Sequence, residues 1–130
     1  MLIDFSSLKL NDLSPIYQQI VKFVKIKIAL GEVESSDELP SRRLLSATLG
    51  VNPNTIQKSC KIMEDEGFVV SQAGAKSVLC FDGKMAEEMK QLLCFEESER
   101  FVVEMKRLKM LKKEAVDMID SFWTQEEKYE

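Results

Sequence analysis

The chain has 130 residues, 18 basic and 22 acidic side chains, a formal net charge of −4 and no histidine. That length supports one modest core with an appendage, and the missing imidazole excludes His-based triads, acid–base relays and the common zinc ligand sets. Cys60, Cys80 and Cys94 share no C-x-x-C spacing and read as reduced thiols of a cytoplasmic protein. Met1–Leu13 has no basic n-region and no long apolar run, so no signal peptide is expected, and no stretch is apolar enough to span a membrane. No nucleophile–base pair or phosphate loop stands out, so neither an enzyme nor a cofactor or metal is expected.

In chain order, Leu2-Ile3-Asp4-Phe5 reads as an extended arm against a core. The first helix is expected to be capped by Ser14 and to start at Pro15, with Ile16, Ile20, Phe23, Val24 and Ile28 at helical spacing and Gly31 at its end. A second helix follows Ser41, its apolar side formed by Leu44, Leu45, Ala47 and Leu49, and Gly50 closes it in a left-handed position. Asn52 then takes the next N-cap and Pro53 the first helical position, where a missing N–H costs nothing. Two helices joined by a short turn carrying Gly form a helix-turn-helix. After Gly67, the β-prone runs Phe68-Val69-Val70 and Ser77–Phe81 flank a polar loop, Ser71–Lys76, which is a hairpin pattern. The predicted fold is therefore mainly α with a small β-hairpin: a winged helix-turn-helix over residues 1–81, followed by a helical dimerisation region over 82–130.

The last fifty residues change character. Gly83 separates the hairpin from a helix over Lys84–Phe95 with Met85, Met89, Leu92 and Leu93 on one face. A break at Glu96-Glu97-Ser98 is expected, then a second helix in which Phe101, Met105, Leu108, Leu111, Ala115, Met118, Ile119 and Phe122 recur every three or four residues. From Ser98 to Gln125 that helix would be about 40 Å long. Two such helices cannot enclose a core of their own. A second copy of the chain is the economical partner, because a twofold dimer matches a palindromic DNA site; packing within one chain is the other arrangement. The dimer contacts are assigned to Met85, Met89, Leu92, Phe101, Met105, Leu108, Ala115, Ile119 and Phe122.

Charge favours double-stranded DNA as the other partner. No acidic residue lies between Glu38 and Glu64, while Arg42, Arg43, Lys58 and Lys61 all do. The first eighty residues carry as many acidic as basic side chains, so the local gap, and not the domain charge, is the signal. Asn or Gln at the front of the second helix of the pair could bond an adenine edge through both of its amide atoms, and Thr offers a hydroxyl or a methyl. Asn52 is equally suited to being consumed as the cap. Cys60, on the same helix, reads as packing, with redox sensing as the alternative.

Pro15-Ile16-Tyr17-Gln18-Gln19-Ile20, Leu39-Pro40-Ser41-x-Arg43, Leu49-Gly50-Val51-Asn52-Pro53-Asn54-Thr55 and Glu64-x-Glu66-Gly67 together resemble the N-terminal domain of GntR-family bacterial transcription regulators, over about Ser14 to Leu79. The short remainder is most similar to the YtrA-type subfamily, in which a helical tail drives dimerisation. The resemblance implies that Arg43 contacts DNA at the start of the second helix and that Asn52, Asn54, Thr55 and Gln57 occupy the polar recognition positions. The DNA-binding set assigned on both grounds is Ser41, Arg42, Arg43, Asn52, Asn54, Thr55, Gln57, Lys58, Gly74 and Lys76.

The wing departs from the family pattern. Gln72 and Ala73 stand where arginines are usual, Lys76 replaces a second glycine, and Ser77 takes the place of Thr. Ser35-Ser36 also stands where the family commonly has Pro-Gly. The resemblance thus implies a weakened wing contact that Lys76 partly restores, and a less rigid first interhelical loop. It further implies a homodimeric repressor of a palindromic operator, of the kind that often controls a transporter operon. The tail carries no pocket motif, so a small-molecule effector is assigned no residues. A protein–protein adaptor working through its tail is the alternative reading, and the polar run Asn52–Gln57 argues against it.

Overall fold

The computed structural model describes residues 1–72 and 76–129, with the side chains of 126–129 excluded. The elements are α1 (Ile16–Ala29), α2 (Arg42–Leu49), α3 (Pro53–Asp65), β1 (Val69–Gln72), β2 (Lys76–Leu79), α4 (Gly83–Arg107) and α5 (Lys112–Tyr129). This is the expected winged helix-turn-helix order with a helical C-terminal region. The chain forms two compact units, Met1–Gln91 and Leu92–Glu130.

In the first unit α3 packs on α1, α2 and β1. Ile20, Val24 and Ile28 of α1 lie one turn apart and are fully buried, as are Ile56 and Met63 of α3, with Cys60 nearly so. Leu45, Phe68, Val69 and Leu79 close the core. Removing this apolar surface from water is the main stabilising term, about 25 cal/mol per Å². On α2 only Leu45 is buried, with Leu49 partly so; Leu44 and Ala47 face solvent. The expected four-residue apolar side was too wide, because Leu45 and Leu49 share one helical row and Leu44 and Ala47 lie on another.

Several helix ends follow sequence, and others do not. Gly31, Gly50 and Gly67 all take positive φ after helices. At the start of α1, Pro15 holds the cap position and no side chain caps it; Ser14 instead offers its carbonyl to Gln19 Nε2 at 2.8 Å. The start of α4 has a cap the sequence reading passed over. Asp82 accepts from the Met85 amide at 2.8 Å, and Gly83 becomes the first helical residue and not a spacer.

The hairpin ladder runs Val69↔Leu79, Val70↔Val78, Ser71↔Ser77 and Gln72↔Lys76. Ser71, Gln72 and Lys76, expected in the loop, therefore belong to the strands, and Gly74 lies outside the described residues. The segment before α2 joins this sheet: Leu39 N–H donates to Ser77 O, and Leu79 N–H to Asp37 O. The N-terminal arm adds to its edge, with Ile3 N–H donating to Glu38 O and Ile3 and Phe5 buried, as anticipated. Glu38 is thus the bridge between arm and wing.

The second unit corrects the tail. No break occurs at Glu96-Glu97-Ser98; α4 runs through it, and Ser98 Oγ bonds back to Cys94 O without ending the helix. The interruption falls at residues 108–111. Lys109 adopts φ +61, Met110 N–H returns to Met105 O, and Glu114 caps the Leu111 amide. No Gly or Pro marks this turn, which explains why periodicity ran across it.

The first interhelical loop is tied down at three points: Ser36 N–H donates to Leu79 O, Phe81 N–H to Ser35 Oγ, and Glu34 N–H to Asp37 Oδ2. Ser36 does this at φ +83, a left-handed conformation that opposes its Cβ. Ser36→Gly should therefore stabilise the fold by about 0.5–1 kcal/mol, read as a rise in the urea midpoint at unchanged m-value.

Candidate nucleic-acid interface

The interface is built from the α2–α3 turn upward. Ser41 Oγ accepts the Leu44 amide at 3.1 Å, so α2 begins where the sequence places it. At its other end Gly50 takes φ +65 and Val51 N–H reaches back to Ser46 O, while the Ser46 hydroxyl donates to Val51 O. Asn52 Oδ1 accepts the Asn54 amide at 2.8 Å and Pro53 opens α3. Asn52 is thus the cap. A two-atom contact from its amide to adenine would need the same oxygen, so Asn52 serves the turn before it serves a base.

The turn gives α3 two faces. Ile56, Ser59, Cys60 and Met63 go inward; Asn54, Gln57, Lys58 and Lys61 face solvent, and Thr55 lies between. The fully buried Ser59 hydroxyl is satisfied by the carbonyls of Thr55 at 3.0 Å and Tyr17 at 3.4 Å, which pins α3 to the start of α1. Burial raises the Cys60 thiol above its ordinary value, with Arg42 acting the other way. A buried, protonated thiol is inert packing, and all three cysteines are free.

The assigned cations are less available than their positions in sequence suggest. Arg42 lies 3.8 Å from Glu64, whose Oε1 also accepts the Ser71 hydroxyl at 2.6 Å and so links the wing to α3. Lys76 pairs with Glu38 at 3.1 Å, and Lys61 with Asp65 at 3.1 Å. Lys58 sits 3.9 Å above the Tyr17 ring. Arg43 has no ion pair among the described residues. Glu38 and Glu64, the two acids bounding the acid-free window, fold back onto basic residues of the interface. Such exposed pairs are worth about 0–1 kcal/mol, so phosphate can compete for these cations.

The tail assignments divide. Met85 and Met89 are partly buried against the core of their own unit. Phe101, Met105 and Ala115 are half-buried, while Leu92, Leu108, Ile119 and Phe122 are exposed. Sequence periodicity missed further exposed apolar residues: Val102, Val103, Val116 and Trp123. Among the described residues no His/Cys/Asp/Glu cluster could hold a metal, and no helix is long and apolar enough to cross a membrane.

The description "Bacterial regulatory proteins, gntR family" matches residues 16–77, the span that forms α1, α2, α3 and most of the hairpin. The uncharacterized HTH-type transcriptional regulator YhcF of Bacillus subtilis is 34% identical, over 83% of this chain and 89% of its own. The chain belongs to the GntR family. A second relative, the HTH-type transcriptional repressor YtrA of Bacillus subtilis, is 36% identical over 62% of this chain and 69% of its own. A GntR family transcriptional regulator from Listeria monocytogenes superposes with a TM-score of 0.75 at 29% identity, covering 86% of this chain and 98% of that one. The protein is therefore a DNA-binding transcription regulator, and the adaptor reading finds no support. These family relatives are named as regulators, none as an enzyme.

The cap makes a testable demand on this GntR domain. Asn52→Ala should lower its stability by about 1 kcal/mol in urea denaturation. Asn52→Asp should retain it, because a carboxylate accepts the same amide and suits the positive end of α3.

Proposed function

We propose that this regulator is a homodimeric repressor acting in the cytoplasm, with the N-terminal half of α3 entering the major groove of each half of a palindromic operator. The observation that carries this reading is the exposed face of α3. Asn54 and Gln57 project their amides there with no side-chain partner among the described residues, and the Thr55 side chain borders them. These three read base edges. Arg43, without an ion-pair partner among the described residues, fixes the phosphate register, with Ser41 at the same helix start. Arg42, Lys58 and Lys76 supply further phosphate contacts. Repression is supported by the relative named as a repressor.

The dimer is supported by the second unit, where Leu108, Leu111, Phe122 and Trp123 are each more than half exposed. An apolar surface of this kind marks an interaction site, and a second copy gives the twofold symmetry a palindrome needs.

Fluorescence anisotropy with duplex DNA from upstream of the gene, against a scrambled duplex, tests the operator reading. Two chains per duplex and a preference of at least about a hundredfold are expected. Arg43→Ala should weaken binding to both duplexes and lower the salt slope by about 1; an unchanged slope would remove Arg43 from the phosphate contacts. Separately, Ile119→Glu with Phe122→Glu should yield a monomer in sedimentation equilibrium with unchanged helix content. A dimer surviving that change would place the interface elsewhere.

A further inference from the structure

We infer that Tyr17, at the start of α1, is a positioning residue for DNA binding: its ring holds the Lys58 ammonium in place as an ordered, un-neutralised phosphate contact. The inference rests on the proposed reading that α3 faces DNA. Its ground is a contrast among the cations around α3. Arg42, Lys61 and Lys76 are each held by a carboxylate, of Glu64, Asp65 and Glu38, which orders the side chain but offsets its charge. Arg43 keeps its charge, and no contact among the described residues orders it. Lys58 alone of these five has a partner that orders it without opposing its charge: the aromatic face of Tyr17, 3.9 Å from Nζ.

The placement of that face is built into the fold. Ile16 packs on the core beside Tyr17 and Ile20 is buried one turn on. The Tyr17 carbonyl accepts from the buried Ser59 hydroxyl, next to Lys58, at 3.4 Å. The Tyr17 backbone thus meets α3 from a different helix, beside Lys58. Lys58 lies one turn after Asn54 on the exposed side of α3, so its ammonium belongs to the same surface as the base-reading amides. A free lysine would lose the freedom of four rotatable bonds on meeting a phosphate; one already held over a ring has lost it before binding. An ammonium has three N–H donors, and a ring engaging one side leaves donors for a phosphate oxygen.

The test is the effect of Lys58→Met on affinity for upstream duplex DNA in three backgrounds: Tyr17, Tyr17→Phe and Tyr17→Leu. Phenylalanine keeps the aromatic face and leucine keeps only the bulk. The loss should be about tenfold with Tyr or Phe and about threefold or less with Leu. An equal or larger loss with Leu would overturn the inference, since Lys58 would then work as well or better without the ring. If Tyr17→Leu fails to fold, proton NMR of the unsubstituted chain decides. Ring-shifted Lys58 ε-methylene signals that persist on DNA binding support the pair, and signals at ordinary positions in the complex overturn it. Arg43→Ala runs alongside: if the unsubstituted chain binds no duplex, the operator reading falls and this inference with it. If Arg43→Ala weakens binding while the three backgrounds lose equally, only the Tyr17 inference falls.

Discussion

Everything that faces outward on α3 depends on a three-residue joint, Gly50 to Asn52, in which the chain reverses direction with its end groups paired. Gly50 takes the left-handed conformation that ends α2, Val51 N–H satisfies a terminal carbonyl of that helix, and Asn52 satisfies an amide of the next. Helix ends leave several backbone groups without partners, and a joint this short has few side chains to supply them. Because Asn52 is spent on this task, the exposed side-chain amides without a side-chain partner among the described residues of α3 are those of Asn54 and Gln57. The same joint sends Ile56, Cys60 and Met63 inward, so burial and presentation on α3 are one constraint.

The electrostatics add a second layer. A neutral N-terminal region is a weak footprint for a DNA-binding domain, and folding moderates it further by laying Glu38 against Lys76 and Glu64 against Arg42. These pairs order Arg42 and Lys76 at the expense of their free charge. Glu64 also bonds Ser71, so one carboxylate ties together α2, α3 and the wing. A wing lacking the usual arginines is in this way held by hydrogen bonds on one side and by the Glu38 bridge on the other.

The C-terminal region shows where a sequence pattern is informative and where it is ambiguous. Its amphipathic repeat announced helices correctly, and Leu108, Ile119 and Phe122 are exposed in the single chain. The break was misplaced. Glu96, Glu97 and Ser98 carry no helix-stopping chemistry, and α4 passes through them; the turn at Lys109 uses a backbone conformation that a lysine adopts at some expense. Met85 and Met89 fit the same periodic face as Leu92 yet pack on the core of the first unit, because a repeat specifies a face and not what covers it.

Sequence by itself determined the order of elements, the buried row of α1, and the caps at Ser41, Gly50 and Asn52. Each of these rests on interactions reaching two to five residues along the chain, within the range that residue spacing encodes. Only the tertiary structure decided which cations are neutralised, which lysine is held by an aromatic ring, and that the N-terminal arm and the loop before α2 extend the wing sheet. Those contacts join residues such as Lys76 and Glu38, 38 positions apart, or Ser59 and Tyr17, 42 apart. No local pattern records them, because they exist only after the core has brought distant helices and strands side by side.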